Sequence, residues 1–98
     1  MTSDLLESYK TAVEFPDVSG FEALELLDTR SRLSEIEGQL TASEKETLEY
    51  ADEMLLDNLK SFYERIQEIG DLPDLRKRAK VLPSHWWWYI DKFVGAKR

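Results

Sequence analysis

Two pairs of carboxylates are the residues in this chain most suited to chemistry. Glu22 and Glu25 stand three residues apart, as do Glu49 and Asp52. On a helix that spacing is nearly one turn, so each pair presents two carboxylates on one face. Oxygen ligands set out this way suit a hard divalent cation such as magnesium, which activates water for attack on phosphate esters. The chain has one histidine, His85, and no cysteine. No Ser/His/Asp spacing suggests a nucleophilic triad. There is no glycine-rich phosphate loop and no histidine-based metal spacing. His85 falls just inside the start of a C-terminal helical segment, where a structural hydrogen-bonding role is expected.

The two carboxylate pairs, placed on facing helices, resemble the magnesium site of the all-α nucleoside-triphosphate pyrophosphatases. The resemblance covers eight positions at most. The supporting lysine and the second acidic doublet of that pattern are missing. In a chain with 20 acidic residues such spacings arise readily by chance, and solvated acidic helix faces are the preferred reading. No catalytic residue, cofactor or metal is therefore expected. A metal-dependent hydrolase using Glu22, Glu25, Glu49 and Asp52 stands as the alternative.

Charge is the most informative global property. The 98 residues carry a net charge of −7. Residues 1–74 hold 19 acidic and 6 basic side chains, a net of −13, whereas residues 75–98 hold 1 and 7, a net of +6. An acidic body with a basic, aromatic tail presents two surfaces with different electrostatic preferences, unless the tail folds back on the body. The absence of cysteine fits a reducing compartment. The first ten residues lack the basic start and apolar run of a signal peptide, and no apolar stretch approaches the ~20 residues that span a bilayer. A cytoplasmic protein is expected.

The elements that must position these groups are helical throughout, because no stretch alternates apolar and polar residues as a half-buried strand does. A first helix is expected over 3–15, capped by Ser3, buried through Leu5, Leu6, Tyr9 and Val13, and ended by Pro16. Ser19 and Glu22 form a capping box for a second helix over 20–38, with Leu24, Leu27, Leu33 and Ile36 at helical spacing. A third helix over 43–69 has two competing caps, Thr41 with Glu44 and Ser43 with Glu46. Its Leu48, Leu55, Phe62 and Ile69 repeat every seven residues, with Leu59 and Ile66 completing the seam and Asp52 interrupting it. Gly70 and Pro73 close it, after a length of roughly 40 Å. A short basic helix over 74–81 and a Trp-rich helix over 84–94 follow. The expected fold is one all-α domain over 1–98, an antiparallel helical hairpin extended to a three- to five-helix bundle.

Three consecutive tryptophans mark the tail. If the segment is α-helical, Trp86, Trp87, Phe93 and Val94 share the face of Ile90, and Trp88 lies nearly opposite, beside Asp91 and Lys92. Trp88 is then either an interface residue or packed by cation–π contact on Arg76, Arg78 or Lys92. The run Pro83-Ser84-His85-Trp86-Trp87-Trp88-Tyr89-Ile90-Asp91 resembles small bacterial proteins, mainly cyanobacterial, that end in a similar His-Trp-Trp-Trp-Tyr-aliphatic-Asp run. The resemblance implies a self-contained helical module and brings no activity with it.

These features point to a non-catalytic protein-binding module, such as an inhibitor, an antitoxin-like neutraliser or an adaptor. The expected contacts are Trp88, Arg76 and Arg78 on the tail and Asp52, Glu53 and Asp57 on the acidic side, facing another protein with a basic surface. A homodimer whose register is set by Asp52 is a related expectation. A basic, aromatic tail also suits nucleic acid or an anionic membrane surface. Both rank lower, because the body would repel polyanions.

Overall fold

A computed structural model describes residues 2–96. The fold is all-α. The described residues form six α-helices and two 3₁₀ turns, with no strand among them. The helices are α1 (Thr2–Glu14), α2 (Gly20–Ile36), α3 (Ala42–Asp57), α4 (Leu59–Gln67), α5 (Leu72–Ala79) and α6 (Ile90–Ala96). The 3₁₀ turns cover Glu37–Gln39 and Trp86–Tyr89.

Local chemistry sets most boundaries. Ser19 and Glu22 form the expected capping box, with the Glu22 amide donating to Ser19 Oγ at 3.1 Å. Thr41 and Glu44 form the second box, so Thr41 rather than Ser43 caps α3. Helix α1 begins at Thr2, which puts Ser3 in its first turn instead of at its cap. Pro73 opens α5 rather than closing the helix before it: Asp71 caps α5 and the proline occupies its first turn. Lys80 ends α5 in a left-handed conformation, φ 54°.

The expected 27-residue third helix is two helices, broken at Asn58. The Asn58 side chain donates to the carbonyl of Val13, at the end of α1, at 2.9 Å. That bond ties the break to α1. Helix α1 packs on both α2 and α3, while α2 meets α4 directly. Helix α1 thus acts as a wedge between α2 and α3. At the other end of α2 the hairpin arms close tightly at Gly20, where a Cβ would lie 2.3 Å from the Arg65 carbonyl oxygen of α4.

The core follows from these faces. Leu6, Tyr9 and Val13 of α1 meet Leu26, Leu27 and Leu33 of α2, and the heptad residues Leu48, Leu55 and Phe62 lie buried with Leu59 and Ile66. Ile69, the last of the seam, is half-buried. The tail folds back on the body: α6 packs on α4, and the Trp86–Tyr89 turn packs on α2 and α5.

Candidate functional site

The tail docks through a polar network rather than through charge. Ser31 of α2 accepts hydrogen bonds from the indole nitrogens of Trp87, at 2.9 Å, and Trp88, at 3.0 Å. Both lone pairs of its hydroxyl are then occupied. Its proton is left for His85 Nδ1, 3.1 Å away. That places the single ring proton of a neutral imidazole on Nε2, which faces Ser34 Oγ at 3.2 Å. Ser34 in turn donates to the Ser31 carbonyl at 2.6 Å. With this tautomer every proton in the chain has an acceptor, and His85 donates toward Ser34. The ring also stacks on Trp87, with centroids 4.7 Å apart.

Beneath the network lies a buried charge. Arg30 is 4% exposed, the one charged residue buried among those described. Its Nε and Nη2 donate to the two oxygens of Asp52 at 2.9 and 3.1 Å. Glu37 sits 3.4 Å from Nη1, and the guanidinium lies over the Trp87 ring at 4.2 Å. Tyr9 donates its hydroxyl to Asp52 at 2.5 Å. Burial, then the Asp52 charge and hydrogen bond, push the Tyr9 phenol far above its ordinary range. Burial alone would lower the Arg30 pKa, but the Asp52 bond and charge raise it on balance. No buried side-chain polar atom among the described residues lacks a partner. This arrangement holds α1, α2 and α3 together, and a cleft of about 500 Å³ lined by Arg30, Glu37, Ser34, His85 and Trp86 opens beside it.

Several expected site residues are corrected by this packing. Trp88 is buried, 4% exposed, because residues 86–89 form a 3₁₀ turn instead of an α-helix. Three residues per turn put Trp86 and Tyr89 on one side and direct Trp87 and Trp88 to the other. The cation–π partners expected for Trp88 are not the ones formed: Arg30 covers Trp87, and Arg76 covers Tyr89 at 4.2 Å. Arg76 is engaged within the tail, donating to the Trp88 carbonyl at 2.8 Å and to Asp91 at 2.7 Å. Asp52, expected to set the register of a homodimer, bonds Arg30 and Tyr9 of its own chain. Glu53 and Asp57 are exposed as expected, and Arg78 is exposed beside Asp74 at 3.1 Å.

The alternative metal set does not assemble. Asp52 pairs with Arg30, which lies eight residues beyond Glu22, roughly 12 Å along α2. Glu22 reaches back to its own cap at Ser19. No group of three or more potential ligands gathers among the described residues. The wedge formed by α1 keeps the two pairs from facing one another.

The surface the sequence did not single out lies between α1 and α2. A cleft of about 280 Å³ is lined by Thr11, Ala12 and Phe15 on one side and Glu22, Glu25 and Thr29 on the other, with buried Phe62 at its base. Phe15 is 62% exposed, and Phe21, beside Glu22, is 71% exposed. Residues 11–29 contain five carboxylates and no lysine or arginine. The signal in the sequence was Phe15 and Phe21 on either side of a helix cap, off the apolar stripe of both helices.

No protein-family model matches this chain, and no curated protein or solved structure is found to be similar to it. No helix among the described residues is long and apolar enough to cross a membrane.

Proposed function

We propose that the protein is a non-catalytic binding module whose partner is another protein with a basic surface. The observation that carries this reading is the surface of residues 11–29, where exposed phenylalanines lie among five carboxylates; Glu14 pairs with Lys10 and Asp28 with Arg32, and the acidic character facing the cleft comes from Glu22 and Glu25. Exposed apolar side chains within a field of one sign are the ordinary makings of an interface: apolar contact supplies affinity, and charge supplies steering and specificity. Glu53 and Asp57 extend the acidic field along α3. Arg78, on the opposite charge block, is a secondary contact.

The reading moves the interface away from the tryptophans. Trp87 and Trp88 hold the tail in place, which also withdraws the support for a membrane-surface anchor. The hydrolase alternative loses its support because its carboxylates stand apart. An inhibitor, an antitoxin-like neutraliser and an adaptor all act by such masking, and a cysteine-free acidic chain suits the cytoplasm.

The test is affinity capture from the native host's lysate with a salt gradient for elution, followed by calorimetry with the purified partner. A stoichiometric basic protein whose affinity falls as salt rises is the expected result. Capture of nothing stoichiometric, or of a partner indifferent to salt, would count against the reading. Trp88→Ala is unsuitable as the negative control, because it perturbs the core.

A further inference from the structure

We infer that the cleft between α1 and α2 is a docking groove for one basic, amphipathic helix of the partner, an inference that rests on the binding function proposed above. Three features of the cleft select that occupant.

Its walls are two antiparallel helices whose backbone groups are satisfied internally, so it offers no sheet edge for strand addition. Recognition must come from side chains. Its lining runs from Ser8 to Phe15, two helical turns or about 10 Å. That length accepts the i, i+4 and i+7 side chains of one docked helix.

The rim then sets the charge. Glu22 and Glu25 line the α2 side, no lysine or arginine lines the cleft, and Phe15 stands at its end. A docked helix would bury its aliphatic or aromatic residues against Ala12, Phe15, Val18 and Leu26. Its lysines or arginines would flank them and meet the two glutamates. A second copy of this chain is a poorer occupant. Two copies each carrying −7 repel, and the exposed cations on α5 belong to a short eight-residue helix.

The experiment uses the full 98-residue chain as bait for a displayed library of 14-residue helical peptides with randomised faces. The enriched peptides are expected to carry net positive charge and apolar residues at i, i+4 and i+7. Amide chemical shifts should then move at Thr11, Phe15, Val18, Glu25 and Thr29 when such a peptide is added. Phe15→Ser should weaken binding about tenfold. Glu22→Gln with Glu25→Gln, which keeps the helix cap, should weaken it about three- to tenfold at low salt. Both variants alter exposed side chains, and circular dichroism checks their fold. Enriched peptides that are acidic, or that bind Phe15→Ser unchanged, overturn the inference. Shift changes confined to the outer face of α3 and α4 overturn the groove while leaving the binding function standing. A wild-type dimer in sedimentation that Phe15→Ser dissociates assigns the groove to a second copy, and also overturns it. Failure of the lysate capture together with failure of the library withdraws both proposals.

Discussion

Replacing Asp52 with alanine tests the buried network directly. The change removes the carboxylate that holds Arg30 at 2.9 and 3.1 Å and accepts the Tyr9 hydroxyl. The guanidinium stays behind, in a site where water reaches little of it. Removing one member of a buried ion pair costs about 3–5 kcal/mol, because the survivor remains desolvated. Two features place this site near the lower end. The Asp52 side chain is 20% exposed, so some water can replace it, and Glu37 persists 3.4 Å from Nη1. The orphaned Tyr9 hydroxyl adds about 1 kcal/mol. The expected loss is about 3–4 kcal/mol, a large share of the ~5–15 kcal/mol that stabilises a domain. For a chain of this size it lowers Tm by roughly 15–25 °C. Urea unfolding, followed by circular dichroism and tryptophan fluorescence, reads the loss as a shift in midpoint at constant slope. A companion variant, Arg30→Met with Asp52→Leu and Tyr9→Phe, removes the polar groups together and should stay within about 2 kcal/mol of wild type. If Asp52→Ala loses less than about 1 kcal/mol, or the triple variant is no better than the single one, the argument from desolvation is refuted.

Two further outcomes follow from the same geometry. Ser31→Ala strips the shared acceptor from two buried indole nitrogens and should cost about 2–4 kcal/mol in urea unfolding, against about 1 kcal/mol for Ser34→Ala; equal losses would contradict the assigned network. The Tyr9 phenol, pushed well above its ordinary value of 10.0 by burial and Asp52, keeps its proton in the folded state while the unfolded chain loses it. Its contribution is therefore fully present below about pH 10 and declines above it by about 1.4 kcal/mol per pH unit, so Tyr9→Phe should flatten alkaline unfolding curves, and an unchanged slope would rule this out.

Much of the fold is legible in local sequence. The capping box at Ser19 sets one helix start, and the competing boxes at Thr41 and Ser43 place a second to within two residues, because a cap satisfies amides only a few residues away. The stripe of Leu6, Tyr9 and Val13 and the heptad of Leu48, Leu55 and Phe62 set the buried faces, because periodicity fixes which side chains share a side. Those signals suffice for an all-α bundle, and for the charge division between body and tail.

What sequence alone could not determine depends on partners distant in the chain. The break at Asn58 is tied to the Val13 carbonyl, 45 residues away. The burial of Trp88 needs a 3₁₀ turn, held by Ser31 on another helix, and an assumed α-helical 100° step sends that ring the wrong way. Arg30 reads as an ordinary helix-surface cation until Asp52 and Tyr9 close around it. The groove between α1 and α2 exists only because α1 wedges into the hairpin. Local rules choose the elements, since capping and periodicity act over a few residues. Which faces stay open is decided by long-range packing, and in this protein the proposed interface lies on one of those faces.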